Sequence, residues 1–218
     1  FVQTLPRGWK AQCSKPLPPP SAAMPRTTHL LYLHGFRSSP RSAKARQMAA
    51  YVAQHHPDVT FWCPQLPPSP RAAMELVAQG IAPWRGAEMG VVGSSLGGFY
   101  ASWVAQRKGC RSVLLNPAVH PARDLERYIG EQTAWHDPAE RFYFQAEYID
   151  ELRALDTAAQ APAAPELAII AQGDEVLDWR EMVARYPHAQ QVVQEGGEHA
   201  LANFGDYLPR VAAFLALA

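Results

Sequence analysis

The fold is decided by residues 89–104, which read MGVVGSSLGGFYASWV. The apolar start, residues 89–92, predicts a buried strand, and the end of the stretch predicts a helix. Between them lies Gly93-Ser94-Ser95-Leu96-Gly97-Gly98. Glycines two positions before and two positions after a serine permit a sharp strand-to-helix turn that exposes the serine hydroxyl. We therefore predict Ser95 as a nucleophile, whereas Ser94 lacks this frame of glycines.

Short apolar runs and longer helical patterns alternate on both sides of this stretch. Strands are predicted at residues 29–34, 59–63, 89–92, 112–115, 167–171 and 191–194, and helices at 43–54, 71–79, 96–107, 179–186 and 207–217. Such alternation is typical of parallel strands joined by helices that cover both faces of a sheet. The sequence therefore predicts an α/β fold with about six mostly parallel strands. With its serine turn, this is the pattern of an α/β-hydrolase fold.

One connection, residues 117–165, is much longer than the usual link between such elements. It has helical patterns around residues 125–129 and 144–155, and we predict a small, helical, lid-like insertion. Its aromatic side chains could line a substrate pocket or simply pack against the domain. Among them, Tyr128 and Trp135 are the candidate substrate-binding residues.

A serine hydroxyl is a weak nucleophile at neutral pH and needs a base oriented by an acid. The predicted strand 167–171 is followed by Gln172-Gly173-Asp174-Glu175-Val176-Leu177-Asp178. An acid just after a parallel strand lies at the same sheet edge as the nucleophile, and Asp174 is the predicted acid. Glu175 and Asp178 are the alternatives, although Asp178 also suits the N-cap of the next helix.

The last predicted strand leads into Glu195-Gly196-Gly197-Glu198-His199-Ala200. This glycine-rich loop presents His199 just before the final helix, and His199 is the predicted base. The order Ser95, Asp174, His199 along the chain is the order found in α/β-hydrolases.

Acyl transfer also requires donors directed at the developing oxyanion. Leu33-His34-Gly35-Phe36 follows the first predicted strand and has the form of an oxyanion loop. The backbone N–H groups of Phe36 and Leu96 are the predicted donors. We interpret His34 as a structural residue of this loop.

Composition excludes several classes of function. Apolar residues make up 48% of the 218-residue chain and charged residues 18%, which indicates a globular protein without a membrane span. Lys and Arg, 20 in number, balance 20 Asp and Glu, so no net positive field would attract nucleic acid. The three cysteines lack metal-ligand spacing. We expect neither a metal nor another cofactor.

The N-terminal residues 1–27 precede the first periodic sequence and are predicted to be an extension outside the domain, which would comprise residues 28–218. Residues 1–23 lack the apolar core of a signal peptide and contain the proline-rich run Pro16-Leu17-Pro18-Pro19-Pro20. This pattern favours a cytoplasmic protein.

Several blocks of this sequence resemble the bacterial YqiA-type esterases. They are Leu31-Tyr32-Leu33-His34-Gly35-Phe36, Ser38-Ser39-Pro40-Arg41-Ser42-Ala43-Lys44-Ala45, Pro64-Gln65-Leu66-Pro67, residues 93–98, Asn116-Pro117-Ala118-Val119, residues 173–178, and Glu195-Gly196-Gly197 with His199-Ala200. The resemblance runs nearly from Met24 to the C-terminus and leaves out residues 1–23. It implies a small α/β-hydrolase fold, activity on acyl esters and acyl thioesters, and a triad of Ser95, Asp174 and His199.

The sequence thus predicts a serine esterase that acts on a small-molecule acyl ester or acyl-CoA thioester through an acyl-enzyme. Alternatives are a dedicated thioesterase or peptidase of the same fold and a catalytically silent binding protein. The basic loop with Arg37 and Arg41 could bind phosphate groups of a substrate or form a solvated surface. The oligomeric state stays open.

Overall fold

Six parallel strands form the main sheet of the computed structural model, which describes residues 25–135, 137, 139–158 and 160–218. The strands in chain order are β1 (His29–Leu33), β2 (Thr60–Trp62), β3 (Met89–Ser94), β4 (Arg111–Leu115), β5 (Gly130–Thr133), β6 (Arg141–Phe144), β7 (Glu166–Ala171) and β8 (Gln190–Gln194). The helices are α1 (Ala43–His55), α2 (Pro70–Gly80), α3 (Leu96–Lys108), α4 (Pro121–Leu125), α5 (Glu147–Ala154), α6 (Trp179–Arg185) and α7 (Leu208–Leu215).

The strand order of the main sheet is β2-β1-β3-β4-β7-β8, and every pairing is parallel. The strand that ends at Ser94 therefore lies in the interior of the sheet, between β1 and β4. All six carboxyl ends meet at one edge, where ligands bind in open α/β sheets. The predicted α/β-hydrolase fold with its mostly parallel sheet is confirmed, and the predicted strand and helix positions agree with it to within a few residues.

Alternate side chains of the four interior strands, β1, β3, β4 and β7, enter two different apolar cores. Leu31 of β1 packs into one core with Val104 of α3, whereas Leu30 packs into the other with Met48 of α1 and Val211 of α7. The period of two along a strand requires this arrangement when helices cover both faces. Burial of each such side chain stabilises the fold by about 1.5–3 kcal/mol, so the sheet is a rigid base for the residues at its edge.

The insertion at residues 117–165 differs in part from the prediction. Helices α4 and α5 are present, but the structure also forms an antiparallel hairpin from β5 and β6 that the sequence analysis did not predict. Phe144, which was expected to begin a helix, is the last residue of β6. In this strand Phe144 is buried while Arg141 and Tyr143 are exposed, which is the alternation of a strand with one covered face.

The two ends of the described chain meet at the amino end of β1. The Thr27 N–H donates to the Ala216 carbonyl at 2.8 Å, and the Ala218 N–H donates to the Thr27 carbonyl at 3.0 Å. Thr27 is fully buried, so this last residue of the predicted extension is part of the folded domain. Residues 1–24 of that extension lie outside the described residues.

Candidate active site

Ser95 lies at the turn between β3 and α3 with a backbone φ of 57°. This left-handed conformation is uncommon for a residue with a side chain and occurs at strained functional turns. A Cβ atom on Gly97 would lie 2.0 Å from the Leu33 carbonyl oxygen, and a Cβ atom on Gly93 would lie 2.0 Å from the Gly97 oxygen. Both flanking glycines are therefore required because β1, β3 and α3 approach one another closely at the turn.

The loop after β1 passes directly beside Ser95. A Cβ atom on Gly35 would lie 3.2 Å from the Ser95 Cβ atom, and Phe36 is the residue directly after this close approach. Leu96 is the first residue of α3, where backbone N–H groups lack partners within the helix and the helix dipole is positive. The two predicted N–H donors, those of Phe36 and Leu96, thus belong to segments that flank Ser95.

His34 connects this loop to the chain after β2. The Leu66 N–H donates to its Nε2 atom at 3.2 Å, and its Nδ1 atom lies 3.0 Å from the Gly35 carbonyl oxygen. The first contact makes Nε2 an acceptor, so Nδ1 carries the hydrogen. The residue is 4% exposed, and its ring fixes the loop conformation.

His199 lies between Ser95 and Asp174. Its Nε2 atom is 3.0 Å from the Ser95 Oγ atom, and its Nδ1 atom is 2.8 Å from the Asp174 Oδ2 atom. The other oxygen of Asp174, Oδ1, accepts from the N–H groups of Val176 at 2.9 Å and Leu177 at 2.8 Å. The Asp174 side chain is fully buried and that of His199 is 20% exposed. The structure therefore brings together the three residues that the sequence analysis placed in one site.

The two alternative acids make other contacts. Glu175 accepts from the His199 backbone N–H through its Oε2 atom at 2.9 Å, so it contacts the main chain of the histidine and not its ring. Asp178 is the N-cap of α6 and accepts from the Arg180 N–H at 2.9 Å. Of the three acids, Asp174 is the one that bonds to the imidazole.

Two side chains that the sequence analysis did not assign to the site bond to the loop of His199. Asn116, directly after β4, donates to the carbonyl oxygens of Glu198 at 3.1 Å and His199 at 3.3 Å. Lys44 of α1 donates to the Ala200 carbonyl oxygen. Two features of the sequence could have indicated Asn116. It is a polar residue directly after a buried strand, and it belongs to one of the blocks that carry the family resemblance.

A cavity of about 410 Å³ opens over Ser95 and His199. Its walls include the two predicted substrate-binding aromatics together with apolar residues of the oxyanion loop, α3 and the insertion: Phe36, Leu96, Leu125, Tyr128 and Trp135. Trp135 is 72% exposed, so this wall residue is largely open to solvent. A neighbouring cavity of about 520 Å³ shares Phe36 and Leu96 and extends toward Leu66 and Phe142.

The insertion is fastened to the oxyanion loop through Phe36 and Arg37. The Phe36 ring packs against Tyr128 and Phe144, with ring centres 5.6 and 5.2 Å apart. Arg37 donates through Nε to the Thr133 carbonyl oxygen at 2.6 Å. The structure thus places Arg37 in the cavity wall, bonded to the insertion, whereas Arg41 is exposed at the surface.

The arrangement of Ser95, His199 and Asp174 can remove a proton from the serine hydroxyl. An Nδ1–H bond to Asp174 leaves Nε2 as the acceptor that faces Oγ. Among the described residues, no group of three or more His, Cys, Asp or Glu side chains could hold a metal ion. In the same part of the chain, no helix is long and apolar enough to cross a bilayer.

Several solved structures share this fold at low sequence identity. One structure from the pair of metagenome-derived lipolytic enzymes LipS and LipT matches at a TM-score of 0.67 and 16% identity, over 87% of this chain and 94% of the other. Est1E from Butyrivibrio proteoclasticus with ferulic acid bound matches at 0.66 and 13%, over 88% and 87%. The esterase domain of a Rhodothermus marinus protein matches at 0.64 and 16%, over 88% and 86%.

A family model matches this chain over residues 29–216, which is most of its length. The match begins with β1 and ends just beyond α7. It therefore covers the main sheet, the insertion and the three hydrogen-bonded residues Ser95, His199 and Asp174. The protein therefore belongs to the uncharacterised protein family UPF0227, the YqiA-like family that its sequence resembles.

Proposed function

We propose that this protein is a serine esterase that hydrolyses acyl esters of small molecules. The observation that carries the proposal is the continuous hydrogen-bonded chain from Ser95 Oγ through the His199 ring to Asp174, with separations of 3.0 and 2.8 Å. The Ser95 end of this series of hydrogen bonds lies at the strained turn of a parallel sheet, beside a cavity of substrate size. Nucleophile, base and orienting acid in this order are the requirements for acyl transfer through serine.

In the first half of the reaction, Ser95 Oγ attacks the substrate carbonyl carbon while His199 Nε2 takes the hydroxyl proton. The tetrahedral intermediate collapses as the bond to the leaving group breaks, and the leaving oxygen receives that proton from His199. In the second half, His199 removes a proton from water, which attacks the acyl-enzyme. The acid product leaves and Ser95 regains its proton.

Phe36 and Leu96 are the proposed donors to the oxyanion in both tetrahedral intermediates. Support comes from the close approach of the Gly35 backbone to Ser95 and from the position of Leu96 at the first turn of α3. Loss of one such donor typically costs about 2.7–4 kcal/mol of transition-state stabilisation. Tyr128 and Trp135 are the proposed contacts to the apolar part of the substrate, with the insertion covering the cavity.

The proposed triad implies acyl transfer to Ser95 but does not determine which leaving group the substrate carries. An acyl thioester would react by the same steps, and a dedicated thioesterase or peptidase is the alternative within this mechanism. A panel of p-nitrophenyl esters, acyl-CoA thioesters and peptide amides of matched acyl length, compared by kcat/KM, separates these activities. The alternative of a silent binding protein predicts turnover of none of them.

The serine mechanism is tested with p-nitrophenyl butyrate and a fluorophosphonate. Wild-type protein should turn over the ester and acquire the phosphonyl adduct on Ser95, as located by mass spectrometry. Ser95→Ala should abolish both while its far-UV circular dichroism stays unchanged. Ser94→Ala is the matched control one residue away and should retain turnover. An adduct on Ser94, or an active Ser95→Ala protein, would refute the proposal.

A further inference from the structure

Asn116 occupies an unusual position at the carboxyl end of β4. The residue is 1% exposed and its backbone φ is 40°, a left-handed conformation that asparagine tolerates better than most residues. Its backbone N–H donates to the Ile169 carbonyl oxygen at 2.9 Å, so the residue is anchored to β7. A buried amide side chain needs partners for its oxygen and its nitrogen.

Both ends of the Asn116 amide have partners on elements that carry the proposed triad. Oδ1 accepts from the Ala171 N–H at 2.8 Å, and Ala171 is the last residue of β7, three positions before Asp174. Nδ2 donates to the carbonyl oxygens of Glu198 at 3.1 Å and His199 at 3.3 Å. One side chain therefore joins the strand of the acid to the loop of the base.

The loop that carries His199 depends on such side-chain bonds. It follows β8, and Gly196 and Gly197 within it have φ values of 64° and 76°, so it leaves the extended conformation of a strand. Main-chain bonds hold it at the Gly196 and Glu198 carbonyl oxygens, which accept from Gly173 and Leu201, whereas side chains bind the carbonyl oxygens of His199 and Ala200. The side chain of Asn116 fixes two successive carbonyl oxygens there and thereby sets the direction in which His199 leaves the backbone. A displacement of a catalytic group by about 1 Å can cost about 10²-fold in rate.

We propose that Asn116 is a positioning residue that holds His199 in line with Asp174 and Ser95. This inference rests on the proposed function, since its effect on rate passes through His199. The hydrogen bonds of Asn116 go to main-chain groups of Ile169, Ala171, Glu198 and His199, so its role is to position His199 and not to exchange a proton.

Asn116→Gly is the decisive variant, because glycine accepts the left-handed backbone without strain while the side-chain bridge is lost. With p-nitrophenyl butyrate we expect kcat to fall by about 10²-fold with KM changed by less than about threefold. We also expect loss of the downfield proton resonance of the His199 Nδ1–H bond to Asp174, which reports orientation of the ring without substrate. Asn116→Asp keeps the acceptor for Ala171 but loses both donors, and it should behave in the same way.

Val113→Ala is the matched control on the same strand. Val113 is fully buried in β4 and its apolar side chain cannot hydrogen-bond to the loop of His199, so its loss should lower the thermal stability while the downfield resonance and kcat stay near those of the wild type. If Asn116→Gly does not fold, Asn116→Asp carries the same comparison. An intact resonance and normal kcat in the Asn116 variants, beside an active wild type, would overturn the positioning role alone. Absence of turnover in the wild type would instead overturn the proposed function.

Discussion

The Arg37 guanidinium lies over the Trp135 ring, 4.3 Å from its centre, and the Trp135 backbone N–H donates to the Arg37 carbonyl oxygen at 2.8 Å. These contacts, with the bond from Arg37 to Thr133, hold the insertion against the oxyanion loop. Arg41 makes no side-chain contact of this kind among the described residues and is exposed. The two arginines of the basic loop are therefore expected to have different effects on catalysis.

Arg37→Ala should lower kcat/KM for a neutral ester and for an acyl-CoA thioester of equal acyl length, because it frees the insertion that forms the cavity wall.

Arg41→Ala should raise KM for the CoA substrate alone if its guanidinium binds a phosphate group, and the effect should shrink as salt screens that contact. Steady-state kinetics at two ionic strengths measure both effects. Equal behaviour of the two variants would contradict this division of roles.

Asp174→Asn should reduce kcat by about 10⁴-fold. The backbone N–H groups of Val176 and Leu177 bind Oδ1, so the oxygen of the new amide stays there and its NH₂ group faces His199. The ring must then accept at Nδ1 and carry its hydrogen on Nε2, where it cannot remove the Ser95 proton.

The same substitution at Asp178 is the control for this prediction. Asp178→Asn should leave α6 capped, since asparagine and aspartate are equally good N-caps, and kcat should be unchanged. Asp178→Ala should lower the free energy of unfolding by about 0.5–2 kcal/mol, measured by urea denaturation. A large loss of kcat in Asp178→Asn would contradict the assignment of Asp174.

Gly97→Ala should destabilise the turn at Ser95, because its Cβ atom would collide with the Leu33 carbonyl oxygen. We expect a loss of about 1–3 kcal/mol in the free energy of unfolding and a fall in kcat as Ser95 shifts. Gly205→Ala is the matched control, since a Cβ atom there meets no other atom within 4 Å. Thermal unfolding and ester hydrolysis of the two variants provide the comparison, and equal stability would contradict the close packing of this turn.

Burial lowers the pKa of the Lys44 ammonium to about 8, while the carboxylates of Asp174 and, next in size, Glu198 raise it in part. Asp174→Asn should therefore lower this pKa further, and by more than Glu198→Gln does. An NMR titration of the Lys44 side chain, with Lys108 as the reference amine, measures the shift. An unchanged or raised Lys44 pKa in Asp174→Asn would contradict the proximity of the two charges.

The sign of the accompanying stability change follows from proton uptake. Between about pH 8 and the ordinary lysine pKa near about 10.4, the unfolded chain binds a proton at Lys44 that the folded protein does not. The contribution of Lys44 to stability therefore rises with pH through this window. Subtraction of the pH profile of Lys44→Met from that of the wild type isolates this contribution.

Sequence periodicity was sufficient for the main sheet because most of its strands are short apolar runs between turn residues, and the edge strand β8 still carries Val192 and Val193 between glutamines. The positions of Ser95, Asp174 and His199 were predictable because each follows a strand, and parallel strands end at one edge. The β5–β6 hairpin was missed since its strands have four residues each, and Phe144 at the end of β6 was assigned to the helical pattern of residues 144–155. The hydrogen bonds of Asn116 join it to residues 55 and 82 positions further along the chain. Contacts over such distances in sequence leave no local pattern from which they could be predicted.

The pairing of Thr27 with Ala216 and Ala218 makes the described fold nearly a closed ring. These contacts lie at the amino end of β1, whereas Ser95 follows the carboxyl end of the neighbouring strand. The junction of the two chain ends is therefore at the edge of the sheet opposite to Ser95. A circular permutant that joins residue 218 to residue 27 through a short linker would keep every strand pairing. New termini could then be opened in a surface loop, and the protein attached to a solid support through the old junction would present its cavity to the solution.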